Sequence, residues 1–217
     1  MIKGIIFDFD GILVHSENAN IQAAIKTFDD IGLPLTDEER NSIPGRSSID
    51  FIAEFLRARG DDSVTSHEEV FMCNKENYKS IWHTAVAMFP HVKNTLEVLH
   101  TQNIVMGIAT TNRLETIEMY FQNFGTRDYF SFIVTGEDVQ KRKPDPEVYS
   151  LAIEKSGLTS EELIAVEDTH VGLTSAKRAG LRCAVIPNEY TLDHDFREAD
   201  YILDSIGELL KIKISVD

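Results

Sequence analysis

Two aspartates, Asp8 and Asp10, follow directly on the short apolar run Ile5-Ile6-Phe7, and a second acidic pair, Glu167-Asp168, follows Ala165-Val166. A hydroxyl, Thr110, ends a third such run, Met106-Gly107-Ile108-Ala109. If these runs are parallel strands, all three polar groups converge on one sheet edge. Four carboxylates in a partly buried site repel one another unless a cation neutralises them. The donors are all oxygens, with no imidazole or thiolate at matching spacing, which suits Mg²⁺ better than zinc or copper. Lys143, in Lys141-Arg142-Lys143-Pro144-Asp145-Pro146, is placed to add positive charge, and the two prolines limit the freedom of its loop. Taken singly, each group has a plainer explanation. A lone aspartate after a strand closes a turn, and a lysine in a basic tripeptide is an ordinary solvated charge. The register of four acids, a hydroxyl and a lysine favours the chemical reading.

The elements that must position these groups show in the pattern of apolar residues. Gly4 to Phe7, Ile104 to Ala109, Phe132 to Val134, Leu163 to Val166, Cys183 to Ile186 and Tyr201 to Leu203 have the length and composition of doubly buried strands. Between most of them lie helical spacings: Lys93 to His100, Leu114 to Phe124, Glu147 to Ser156 and Val171 to Ala179. Asp145 is expected to cap the third of these, with Pro146 next, and Gly180 to end the fourth. Alternating strands and helices predict an α/β fold, a Rossmann-like parallel sheet with helices on both faces. Residues 16–85 break the alternation. Ala19 to Ile31, Ile49 to Leu56 and His67 to Ile81 are amphipathic helical patterns, separated by Gly32-Leu33-Pro34, Pro44-Gly45 and Gly60-Asp61-Asp62. They predict an inserted α-helical cap, acting as a lid over a core formed by residues 1–15 and 86–217.

Composition narrows the partners. The 217 residues carry 36 acidic against 21 basic side chains, a net charge of −15, which repels nucleic acid and anionic membrane surfaces. An anionic substrate then needs local positive charge. The apolar run before Asp8 is too short for a signal-peptide core or a membrane span, so a cytoplasmic location is expected. Cys73 and Cys183 stand apart, outside any Cys-x-x-Cys or Cys/His cluster, and read as reduced structural thiols. A monomer is the default expectation.

Four motifs in order, Asp8-Phe9-Asp10-Gly11, Thr110-Thr111-Asn112, Lys143-Pro144-Asp145-Pro146 and Glu167-Asp168-Thr169-His170-Val171-Gly172-Leu173, resemble the haloacid dehalogenase-like hydrolase superfamily. The likeness spans essentially the whole chain and points to the helical-cap branch that includes β-phosphoglucomutase and phosphoglycolate phosphatase. It implies a Mg²⁺-dependent phosphatase acting on a small phosphorylated metabolite through an aspartyl-phosphate. Asp8 would be the nucleophile and Asp10 the proton carrier. Thr110 and Lys143 would complete the catalytic set, with Gly11, Thr111 and Asn112 at the phosphate. Asp8, the Asp10 backbone carbonyl, Asp168 and, directly or through water, Glu167 would hold the metal.

The same resemblance ranks the alternatives. Asp10 disfavours dehalogenation, whose halide leaving group needs no proton. Pro44-Gly45-Arg46-Ser47-Ser48 lacks the cap lysine that phosphonate hydrolysis requires. A sugar-phosphate mutase stands second, weakened because Asn20 and Ser48 occupy positions where β-phosphoglucomutase has a cap histidine and a phosphate-binding arginine. A non-catalytic phosphate-binding protein stands a distant third, since no acid of the set is lost. Arg46 and Lys75 are cap candidates for a distal anionic group, although an exposed basic side chain is the plainer reading of each. His15 stands at the hinge between core and lid, and Pro90-His91 where relatives have Pro-Gly.

Overall fold

The structure is a computed structural model that describes residues 1–44, 46, 48–59 and 66–212. The helix breaks assigned to Gly45 and to Gly60-Asp61-Asp62 lie outside the described residues. In chain order the elements are β1 (Gly4–Phe7), β2 (Val14–His15), α1 (Glu17–Asp30), α2 (Asp37–Asn41), α3 (Ser48–Ala58), α4 (His67–Ala85), β3 (Ala87–Met88), α5 (Val92–Thr101), β4 (Val105–Ala109), α6 (Leu114–Phe124), β5 (Phe132–Val134), α7 (Glu147–Ser156), β6 (Leu163–Glu167), α8 (His170–Arg178), β7 (Arg182–Val185) and β8 (Tyr201–Ile202). Among the described residues, 3-10 segments at Arg127–Tyr129, Ser160–Glu162 and Ile206–Lys211 complete them.

Every residue of β1 and β6 is buried, as befits strands with neighbours on both sides and helices on both faces. Six strands form one parallel sheet in the order β5-β4-β1-β6-β7-β8. Side chains alternate across it. On one face Ile6, Ala109, Val134, Ala165 and Cys183 cluster with Val148, Tyr149 and Ala152 of α7 and with Leu173 and Ala176 of α8. By the same alternation Phe7 points to the opposite face, where its ring meets Phe130 edge-on at 6.3 Å.

The chain divides into two compact units, Met1–Val14 with Met88–Asp217, and His15–Ala87. Among its described residues, the regular elements of the second unit are helices α1 to α4, with strand residues His15 and Ala87 at its ends. Its core gathers Ala24 and Phe28 of α1, Phe51, Ile52, Phe55 and Leu56 of α3, and Val70 of α4, with Leu35 and Ile43 between. Sequence reading passes over α2, because its five residues bury nothing and show no apolar period. A capping box marks it instead: the Thr36 hydroxyl accepts from the Glu39 N–H at 3.2 Å, and the Glu39 carboxylate from the Thr36 N–H at 2.8 Å.

One cap needs correction. Pro146, not Asp145, is the residue before α7: its carbonyl accepts the first helical hydrogen bond, from the Ser150 N–H at 2.9 Å. Asp145 stands one place earlier, where its Oδ1 accepts from the Glu147 N–H at 3.1 Å.

Candidate active site

The site begins with register. Phe7 of β1 is level with Ile108 of β4 and Val166 of β6. One residue further along, Asp8 is therefore level with Ala109 and Glu167, and its N–H continues the ladder to the Val166 carbonyl at 2.9 Å. Lys143 Nζ meets all three at that level: Asp8 Oδ1 at 2.7 Å, Glu167 Oε1 at 2.7 Å and the Ala109 carbonyl at 3.0 Å. The lysine arrives from the loop between β5 and α7, yet its side chain is 7 % exposed. Burial opposes the Lys143 charge, but Asp8 and Glu167 outweigh it and hold its pKa above the ordinary lysine value.

Thr110 continues β4, its N–H donating to the Val134 carbonyl at 3.0 Å and its Oγ1 accepting from the Asn112 N–H at 3.1 Å. Asn112 in turn donates from Nδ2 to Asp10 Oδ2, joining the second motif to the first. Thr111 lies between them, its carbonyl so close to Gly136 that a Cβ there would stand 2.3 Å away. Gly11 has φ +76°, and a Cβ on it would meet Asp168 Oδ2 at 1.9 Å. That position requires glycine for both conformation and space.

Carboxylate oxygens of Asp8, Glu167 and Asp168 lie within 4.8 Å of one another. Burial pushes the Asp8 carboxyl up to about 7, with Lys143 pulling it back and Glu167 and Asp10 adding to the rise; burial likewise pushes Asp168 well above its usual value, with Asp8 and Glu167 adding to it. With all three ionised, the clustered carboxylates around one ammonium carry excess negative charge. Such an all-oxygen set fits a hard divalent cation, which would relieve the repulsion that adds to the effect of burial.

Two further residues join the cluster without having been singled out from the sequence. Asn188, past β7, donates from Nδ2 to Asp168 Oδ2 at 2.8 Å. Tyr149 of α7 donates from its hydroxyl to Glu167 Oε1 at 2.6 Å. Asn188 stands among loop residues where an asparagine is expected for turn reasons, and Tyr149 occupies the buried stripe of a helix. The hydroxyl on an otherwise apolar face was the available signal, because a buried phenol needs a partner.

Arg46 and Lys75 belong to the helical unit. Arg46 Nη2 is paired with Glu54 Oε2 at 2.5 Å and its guanidinium lies 5.8 Å from the Phe55 ring centroid. Lys75 is within α4. Cys73 and Cys183 are free, the latter buried. No described helix is long and apolar enough to cross a membrane.

Comparison with known proteins places this geometry among relatives. The family model described as haloacid dehalogenase-like hydrolase matches residues 5–186. Protein CbbY of Cereibacter sphaeroides is 32% identical over 217 residues, covering 96% of this chain and 94% of its own. Pyrophosphatase PpaX of Oceanobacillus iheyensis is 30% identical, covering 97% and 96%. The crystal structure of CbbY from Rhodobacter sphaeroides in complex with phosphate superposes with a TM-score of 0.83 at 32% identity, covering 96% of both chains.

Proposed function

The chain belongs to the haloacid dehalogenase-like hydrolase family, and on that premise we propose that it is a phosphatase for a small phosphomonoester, with Asp8 as nucleophile and Mg²⁺ as cofactor. The observation that carries this reading is the Lys143 ammonium bonded to both Asp8 Oδ1 and Glu167 Oε1 at 2.7 Å. It fixes one oxygen of Asp8 at the end of the central strand and sets positive charge beside the carboxylate that must approach an anion.

In the first step an Asp8 oxygen attacks phosphorus, the bond from phosphorus to the substrate oxygen breaks, and Asp10 gives its proton to the departing alcohol. In the second, Asp10 takes a proton from water, whose oxygen displaces Asp8 from phosphorus and releases inorganic phosphate. Asn112, bonded to Asp10, holds that carboxyl in orientation. Thr110, Thr111, Asn112 and the loop at Gly11 are assigned to the phosphoryl oxygens, and Lys143 offsets the charge of Asp8 and the phosphate. Asp8, Asp168, the Asp10 carbonyl and Glu167 would hold Mg²⁺, which when bound neutralises the repulsion between carboxylate and phosphate.

A sugar phosphate is the favoured substrate class. Support comes from CbbY, solved with phosphate and, as a variant, with xylulose-(1,5)bisphosphate. The helical unit is proposed as the lid that selects the substrate, with Arg46 and Lys75 its candidate contacts to a second anionic group.

The test is a panel of pentulose and hexose phosphates, phosphoglycolate, inorganic pyrophosphate and nucleoside monophosphates, following phosphate release and isomer formation together. Release of phosphate that stops on chelation and returns with Mg²⁺ is the expected result. Isomer formation with negligible release would make the protein a mutase and overturn the reading.

A further inference from the structure

Tyr149 has no part in the two steps above, yet it is fully buried against two residues that do. Its hydroxyl donates to Glu167 Oε1 at 2.6 Å and lies 3.4 Å from Lys143 Nζ, while its ring centroid is 4.9 Å from the same nitrogen. A phenylalanine would fill the helix stripe equally well, so the hydroxyl is what requires a reason. An ammonium has three protons. Those of Lys143 have three nearer acceptors than the phenol: Asp8 Oδ1, Glu167 Oε1 and the Ala109 carbonyl.

Glu167 Oε1 thus accepts from both an ammonium and a phenol, which occupies its two lone pairs. Among the described residues, its other oxygen has only long contacts, to the Asp168 N–H at 3.3 Å and Thr169 Oγ1 at 3.4 Å. A Cβ at Gly172 would stand 2.0 Å from the Glu167 carboxylate, so the group is also walled in from α8. With the phenol proton absent, Oε1 would have Lys143 as its sole strong donor. In a buried network a carboxylate deprived of one donor draws more strongly on the other. The ammonium would then be pulled toward Glu167 and away from Asp8.

We infer that Tyr149 is a positioning residue for Lys143: its hydroxyl satisfies part of Glu167, and its ring face walls the ammonium, so that one Lys143 proton remains directed at Asp8. The inference rests on the proposed role of Asp8. It also assigns Glu167 Oε1 the task of anchoring the lysine.

Tyr149→Phe tests this, because it keeps the ring and removes only the hydroxyl. Against the substrate turned over best, kcat is expected to fall about tenfold with KM within about twofold, the pattern of a group acting on the reacting centre. The ¹H–¹⁵N resonance of the Lys143 ammonium, identified by its loss in Lys143→Arg, is expected to shift in the substrate-free protein. Thermal melts establish the folded fraction at the assay temperature. An unchanged kcat, an unmoved resonance, or a fall in activity that matches the unfolded fraction would each overturn the inference. If the wild type releases phosphate from nothing on the panel, the proposed function fails. The resonance, which needs no substrate, then decides this inference alone: a shift sustains it and an unmoved signal overturns it.

Discussion

Burial pushes the Asp8 carboxyl up to about 7, Lys143 pulls it down, and Glu167 and Asp10 push it up again. The folded protein therefore keeps a proton that the unfolded chain releases near 3.8. This contribution to stability is complete below the unfolded value and is lost as pH rises through the folded one. The stability of the metal-free wild type, taken relative to Asp8→Asn, is expected to decline between about pH 4 and pH 7 in urea titrations. A flat difference would contradict the assigned environment. Since a cation binds the ionised form, Mg²⁺ should raise Tm more at pH 8 than at pH 5. Asp8→Asn should also lower kcat by roughly 10⁴-fold or more while circular dichroism stays that of the wild type. Gly11→Ala places a methyl group on Asp168 Oδ2 and in a left-handed backbone. Weaker Mg²⁺ binding by calorimetry and a stability loss of about 1–3 kcal/mol are expected. The main acids were legible because each closes or follows an apolar run, and Lys143 because two prolines restrict the loop that carries it. Tyr149 and Asn188 were not, since their residue types suit a helix core and a turn, and only the fold reveals what they touch.

At the scale of elements, the start of α5 stands out. His91 precedes the helix with φ +69°, a left-handed conformation that side chains other than glycine disfavour. His91→Gly is expected to stabilise the protein by about 1 kcal/mol, read as a higher urea midpoint at unchanged m value. A lower midpoint would show that the histidine side chain compensates. β1, β4, β5, β6 and β7 were readable to within a residue or so because helices cover both faces of the sheet there, which leaves continuous apolar runs; β8 was placed as well, but both its residues are exposed, so the expectation of a doubly buried strand fails at that edge. β2 and β3, two residues each, are too short for any period to register, and α2 is signalled only by its capping box. The N-cap of α7 moved by one residue because proline and the preceding aspartate both suit a helix start.

For the molecule as a whole, a net charge of −15 means self-repulsion that salt screens. Tm is expected to rise between about 0.05 and 0.5 M NaCl in differential scanning calorimetry, and a fall would show that ion pairs outweigh the net charge. The strand order carries another consequence, one of timing. β1 is made first, but its neighbours are residues 105–108 and 163–166. Asp8 leaves the ribosome long before Ala109, Lys143 or Glu167, and waits as an ordinary solvated acid on an unpaired strand. The buried environment that alters its proton affinity forms only when most of the chain has been made. Pairings so distant in sequence are slow to close. The proton affinity of Asp8 in the folded protein is therefore a late property of synthesis, and a nascent chain halted before β6 would carry Asp8 with none of its buried surroundings.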